Sequence, residues 1–406
     1  MQTQLASFIQ GTAQGLEAEA ILRTCVHCGF CTAVCPTYLL TGNELEGPRG
    51  RIYLIKQLLE GAAVTDKTQT HLDHCLTCRA CETACPSGVR YGHLLDIGRA
   101  VLTERAPRPV GSRWIRRLLS AFLTSAAVIP LYRVAQWLRV LLPLQLRRLV
   151  RPREHLPAWP QARHARRVLM PEGCVQRAMA PQINVATAQV LDALQFSVLR
   201  TPVSGCCGAI RQHLDESEGA RTQARRNIDA WWPAIVAGCS AIVSNASGCG
   251  LMLKDYGRLL KDDPLYATKA AKVSTLVCDI AELVYAERAN WLSRIRAVQA
   301  QRIVFHAPCT LQHGQQRTGL VESLLTEAGV TLLPVSEGHV CCGSAGTYSL
   351  LQPTTARALR ERKLQGLTIA SPELILSANV GCISHLAAGT TIRVRHWIEW
   401  LAEALA

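Results

Sequence analysis

Two runs of cysteine define the chemistry open to this chain. Cys25, Cys28, Cys31 and Cys35 precede Pro36, and Cys75, Cys78, Cys81 and Cys85 precede Pro86. Both read C-x2-C-x2-C-x3-C-P, a spacing by which thiolates hold [4Fe–4S] clusters. Three thiolates on one tight loop reach three irons of a cube. The fourth, at the start of a helix, points away and ligates the other cluster. The expected sets are Cys25, Cys28, Cys31 and Cys85 for one cluster, and Cys75, Cys78, Cys81 and Cys35 for the second. Zinc asks for four ligands, commonly as separated C-x2-C pairs, and needs no third cysteine on the same loop. Disulfides would need an oxidising compartment. Two clusters this close form a one-electron relay.

A second set of cysteines recurs later. Cys174 is followed by Cys206-Cys207-Gly208 and then Gly248-Cys249; Cys309 is followed by Cys341-Cys342-Gly343 and then Gly381-Cys382. The first gap holds 31 residues in both halves, and the last holds 41 and 39. A repeat this long, with the same residues in phase, points to duplicated units. Each half offers four thiols, enough for a further iron–sulfur cluster or a zinc ion. Cys239 and Cys278 fall outside the phase and read as buried apolar thiols.

The elements that position these cysteines follow from periodicity. Residues 8–24 read as a helix feeding the first loop. Residues 37–74 read as an insertion with a Gly47-Pro48 turn and a packing helix, on which Arg49 and Arg51 could bias a cluster's potential or dock a partner. In the later region, short apolar runs at 167–170, 196–199, 241–244, 302–305, 330–333 and 374–377 read as strands. Helical patterns at 185–194 and 220–236 lie between strands of the first half. Such alternation predicts parallel α/β units. The patterned cysteines then lie past the carboxyl ends of strands, where open α/β sheets bind ligands. The adjoining glycines would let backbone approach a bulky inorganic group. The fold expected is α+β overall: a helical two-cluster domain at 1–105, a connector at 106–165, and duplicated α/β units at 166–290 and 300–406.

Charge is uneven. Residues 1–105 carry a net −1, residues 106–167 a net +12 from 13 arginines and Glu154, and the remainder +3, within a total of +14. The connector interleaves Arg113, Arg116, Arg117, Arg139, Arg147, Arg148, Arg151 and Arg153 with Trp114, Trp137 and leucines. Its longest uncharged run, 118–132, is 15 residues and contains Pro130, too short for a spanning helix of about 20. The pattern fits an interfacial segment on an anionic surface. The arginines alternate with aliphatic rather than base-stacking side chains, so nucleic acid is not an expected partner. Residues 1–15 lack the pattern of a secretory signal. That and the cluster motifs predict a reducing cytoplasm.

His27-Cys28-Gly29-Phe30-Cys31, residues 47–56 and 75–90, Ala230-Trp231-Trp232-Pro233, residues 306–313 and Cys341-Cys342-Gly343-Ser344-Ala345-Gly346-Thr347 carry a resemblance that runs nearly end to end. On these residues the chain resembles the glycolate oxidase (glycolate dehydrogenase) iron–sulfur subunits. Its later half is similar to the CCG, or cysteine-rich, domain also found in heterodisulfide reductase. The resemblance implies a complex in which separate flavoprotein subunits oxidise glycolate on FAD, and this chain passes the electrons to a membrane quinone or other acceptor. It implies a peripheral place on the cytoplasmic face of the inner membrane. A cousin of the same design is the small subunit of anaerobic glycerol-3-phosphate dehydrogenase, which leaves that substrate as an alternative; a thiol/disulfide enzyme like heterodisulfide reductase is another. In heterodisulfide reductase the motif ends in C-x-x-C, giving five cysteines per cluster. Here Ala246 and Asn379 stand three residues before Cys249 and Cys382. The chain has no Ser/His/Asp set, no G-x-G-x-x-G after a strand and no phosphate loop, so no catalytic residue is expected on it. His306, His313, His339 and His385 gather near the second repeat and could relay protons at a quinone site.

Overall fold

The computed structural model describes residues 1–143, 147, 150, 152, 156–201, 205–296 and 301–405. Arg148, Arg151, Arg153 and Glu154 of the connector lie outside them. The fold is α+β: helices dominate, and the strands form two small parallel sheets.

In the N-terminal part, helices Ala13–Thr24, Pro48–Leu59 and Tyr91–Arg105 enclose a core of Leu22, Ile55, Leu59, Leu72, Leu94 and Leu95. Helix Pro48–Leu59 begins on Pro48, where no N–H donor is needed. It buries Ile52, Ile55, Leu58 and Leu59 on one face, each worth about 1.5–3 kcal/mol. Both cysteine runs flank this core, and short helices Phe30–Ala33 and Ala80–Thr83 form within them.

The first sheet contains β1 (Arg166–Leu169), β2 (Phe196–Leu199), β3 (Ala241–Ser244) and β4 (Val277–Asp279), in the order β2-β1-β3-β4. The second contains β5 (Ile303–His306), β6 (Leu374–Ser377) and β7 (Arg393–His396), in the order β5-β6-β7. The strand expected at 330–333 is reduced to one parallel bridge, Ile303 to Leu332, with Leu333 N donating to Ile303 O at 2.8 Å. With that bridge counted, both halves share one topology. Each gains a strand the sequence did not reveal, β4 and β7. Cys278 lies on β4 and is half-buried, unlike the buried Cys239.

The halves share a core in which Val168, Val190 and Val284 meet Val304, Ile375 and Leu401. Behind β3 and β6 the two halves touch directly: Ser247 N donates to Ala378 O at 3.2 Å, and the Ser247 and Thr310 hydroxyls are 2.7 Å apart. The connector forms helices Val110–Thr124 and Val128–Trp137, followed by a 3-10 turn.

Candidate metal centres

The two N-terminal loops adopt one backbone. His27 (φ 58°) and Gly29 (φ 85°) flank Cys28, just as Thr77 (φ 53°) and Arg79 (φ 59°) flank Cys78. Left-handed backbone at a non-glycine residue costs roughly 1–2 kcal/mol, and such strain gathers where a loop wraps a ligand. Alternating N–H groups in such turns form a concave anion nest, a common cradle for iron–sulfur groups. At Gly29 a Cβ would lie 2.8 Å from Nη1 of Arg49, whose flexible side chain would have to shift.

Around this backbone the cysteines converge in two cavities. Cys25, Cys28, Cys31, Cys81 and Cys85 line one, with Arg49 and Tyr91. Cys35, Cys75, Cys78 and Cys81 line the other, with Thr37 and Arg51. Each cavity gathers cysteines of both loops, and Cys81 lines both. Burial, and then the neighbouring thiol of Cys25, pushes Cys31 up to about 11. Burial also drives Cys78 and Cys81 well above the ordinary thiol range. Thiols crowded this way resist ionising together unless a cation joins them, and a metal-bound thiol is deprotonated outright. Soft donors in two sets of four fit a pair of [4Fe–4S] clusters.

Arg51 is fully buried beside the second cavity. Its Nη2 donates to Glu46 Oε2 at 2.7 Å, its Nη1 to Thr37 Oγ1 at 3.1 Å and its Nε to the His71 carbonyl at 2.7 Å. Burial works against its charge, but the Cys75, Tyr91 and Cys35 side chains and Glu46 hold its pKa above the usual value. Arg51 is therefore inaccessible to a partner and acts on the cluster site. Arg49 sits at the other cavity, paired with Glu44 at 2.6 Å.

The repeat cysteines form two cages. In the first, the free thiols of Cys174 and Cys206, Cys206 and Cys207, and Cys207 and Cys249 are hydrogen-bonding neighbours. Hydrogen bonds from Cys174 and Cys207 hold Cys206 well below the ordinary thiol range. Tyr256 Oη donates to Cys207 O at 2.8 Å, and Asn227 Nδ2 donates to Cys206 O at 2.9 Å. In the second, the Cys309 and Cys341 sulfurs are 3.8 Å apart, and Cys342 bonds both Cys341 and Cys382. Lys363, 2% exposed, faces this cage and donates to the carbonyls of Glu337 and Gly338 at 2.7 and 3.3 Å. Burial pushes its pKa down, against the pull of Cys342, Cys341 and Cys309. Leu76 and Cys78 of the second cluster loop pack with Cys341 and Cys309.

Two of the motif glycines also meet helix backbone. Gly343 has φ 87°, and a Cβ on it would lie 2.6 Å from Ala356 O; on Gly208, φ 96°, a Cβ would lie 3.3 Å from Ala220 O.

Of the four histidines, His306 and His313 are buried, and His385 is half-buried with Nε2 3.1 Å from Ala356 O. Burial pushes all four below the usual imidazole value, His306 to about 3. A ring nitrogen of His306 lies within 4.8 Å of the Cys342 and Cys382 sulfurs, which themselves lie within that distance of each other. Sequence reasoning missed His306, Lys363 and Glu46 as neighbours of metal sites. The signal for His306 was its place three residues before Cys309, where the first repeat has Pro171.

Part of the connector's charge turns inward. Arg108 and Arg116 both pair with Asp73 of the N-terminal part and with Asp215 of the first repeat; Arg116 reaches Asp73 at 2.9 Å and Arg108 reaches Asp215 at 2.7 Å. Outward, Trp114, Leu118 and Phe122 form an exposed apolar stripe beside Arg113 and Arg117. Leu131, Val134, Trp137, Val140 and Leu141 continue it. No single described helix is long and apolar enough to cross a membrane; the two connector segments together are, but they are bent by 84°.

The family model for a 4Fe-4S dicluster domain matches residues 21–89, and that for a cysteine-rich domain matches residues 168–254 and 303–387. The chain is 52% identical over 408 residues to the glycolate oxidase iron-sulfur subunit of Escherichia coli (strain K12), covering 100% of this chain and 99% of that one. It is 28% identical over 424 residues to a probable glycolate oxidase iron-sulfur subunit of Bacillus subtilis (strain 168), covering 95% and 94%. Lactate utilization protein A of Shouchella clausii is 24% identical and matches 55% of this chain. A hypothetical protein from Helicobacter pylori, solved as a crystal structure, is 10% identical with a TM-score of 0.57 over 97% of this chain and 73% of its own; that likeness is one of fold alone.

Proposed function

This chain belongs to the family of glycolate oxidase iron–sulfur subunits, and from that premise we propose that it is the electron relay between a flavin-bearing partner and a membrane acceptor. Cys25, Cys28, Cys31 and Cys85 hold one [4Fe–4S] cluster; Cys35, Cys75, Cys78 and Cys81 hold the other. The observation that carries this reading is the pair of cavities, each lined by cysteines of both loops, with Cys85 in the cavity of the first loop and Cys35 in that of the second. Such clusters supply one-electron transfer. The protein's own contribution is electrostatic: Arg49 and Arg51 bring positive charge to the two sites, and nearby charge sets cluster potential. Glycolate oxidation belongs to flavoprotein subunits carrying FAD, since this chain presents no flavin motif. The cages of the two repeats are further metal sites. The units at 1–105, 106–165, 166–290 and 300–406 divide these roles, with the connector as the attachment to the cytoplasmic face of the membrane, where quinone takes the electrons.

The test uses the anaerobically purified chain with and without its flavoprotein partners. Glycolate should reduce the two N-terminal clusters, read by electron paramagnetic resonance, only when the partners are present. Reduction by the chain alone, or none with partners that themselves oxidise glycolate, refutes the assignment.

A further inference from the structure

The two cages are built from the same motif but are not chemically alike. Beyond its four cysteines, the second gathers two residues that the first lacks. Three residues before Cys309 stands His306, against Pro171 before Cys174; 22 residues after Cys341 stands Lys363, against Ile228 after Cys206. His306 ends β5 and pairs in register with Ser377 on β6, whose hydroxyl lies 2.9 Å from its Nδ1. That bond holds the ring in place, and a ring nitrogen lies within 4.8 Å of the Cys342 and Cys382 sulfurs; a metal-bound histidine is commonly oriented through its other nitrogen in this way. Cys382, the thiol nearest the chain's departure from C-x-x-C, accepts a bond from Asn379 Nδ2 at 3.5 Å. The absent fifth thiolate is thus replaced on one side by a neutral donor to Cys382, while an imidazole approaches from another.

Four thiols and one imidazole are more donors than a tetrahedral zinc ion accepts. They suit a centre of several irons, and histidine can replace cysteine on iron in such clusters, raising the potential. The buried Lys363 ammonium, bonded to carbonyls rather than to a carboxylate, would offset the charge of an anionic cluster. Contact between Cys78 and the Cys309–Cys341 pair puts this cage next to the second N-terminal cluster. We propose that the second repeat holds an iron–sulfur cluster ligated by Cys309, Cys341, Cys342, Cys382 and His306, with a higher potential than the two N-terminal clusters. The proposal rests on the reading of the second cage as a metal site.

The test is the full chain, purified anaerobically with its partners from cells fed 15N-histidine. Iron should exceed the roughly eight atoms of two four-iron clusters. Pulsed paramagnetic resonance across a redox titration should find a signal with a nitrogen coupling of directly bonded size that follows the histidine label. Cys342→Ser should abolish that signal. His306→Gln should remove the coupling and lower the midpoint, with both N-terminal signals retained. The labelled unmodified chain decides the matter if that variant does not fold. Zinc in the second cage, iron of only about eight atoms, or no histidine-coupled signal at any potential overturns the proposal. The N-terminal signals, read in the same samples, report separately on the relay.

Discussion

Cys35 lies 3.4 Å from the Thr37 hydroxyl and lines the cavity of Cys75, Cys78 and Cys81 rather than that of its own loop. Cys35→Ser should therefore damage the cluster anchored by the second loop and spare the first, which paramagnetic resonance of the two reduced clusters can separate. Loss of the Cys25 cluster alone would reverse the pairing. Asp279 makes a different prediction. It caps helix Ile280–Ala286, accepting from Ala281 N at 3.0 Å, and burial pushes its carboxyl up to about 7. Glu282 adds to that shift; Lys254 and Gln315 oppose it. The folded value lies above the unfolded one, so the native state binds more protons between about pH 4 and 7. Stability should fall as pH rises through that window, by on the order of 4 kcal/mol. Asp279→Asn keeps the cap and should flatten the dependence in chemical denaturation; an unchanged slope would assign it to other groups. The cysteines that line the two cavities were legible from spacing, because a cube-shaped cluster would impose short intervals on one loop. Asp279 was not, since its shift arises from burial that no local pattern records.

At the scale of elements, the loop-to-helix joints of the repeats carry the clearest consequence. Gly343 is strained for any side chain and pressed against Ala356 O, whereas Gly208 has more room. Gly343→Ala should cost about 2–4 kcal/mol, combining left-handed strain with overpacking. Gly208→Ala should cost about 1–2 kcal/mol, mostly strain. Equal losses in denaturant midpoint would mean that the helix at 353–368 yields easily. Hydrophobic runs located five of the six expected strands. The sixth, at 330–333, reads as apolar but pairs only at Leu332. β4 and β7 escaped notice: Val277–Asp279 is three residues long, and Arg393–His396 alternates charge with burial, so neither presents the apolar run by which a strand is recognised.

For the whole molecule, composition located the basic connector but not its division of labour. Arg116 reads as one of many surface cations, yet it is held between Asp73 and Asp215, which are 142 positions apart in the chain. No sequence window contains that arrangement. Arg108→Gln with Arg116→Gln should leave two half-buried carboxylates without these partners, a loss of about 1–3 kcal/mol, read as a lowered midpoint of unfolding. The exposed stripe should behave oppositely. Trp114→Ser, Leu118→Ser and Phe122→Ser together should leave stability within about 0.5 kcal/mol but release the complex from anionic vesicles in sedimentation. Quinone reduction should fall, while dye reduction by the flavoprotein persists. Retention on vesicles at the original level would move attachment to another subunit.

The exchange of a fourth cysteine between the two loops also bears on biosynthesis. A ribosome that has released residues 1–74 has delivered Cys25, Cys28, Cys31 and Cys35, but these do not line one cavity together. The set with Cys35 is complete only once Cys81 emerges, and the set with Cys85 four residues later. At about 5–20 residues per second, both sets become complete within a second of each other. On the proposed ligand sets neither cluster can be finished before the other's ligands are also at hand, and a truncation before residue 81 should yield no finished cluster instead of one.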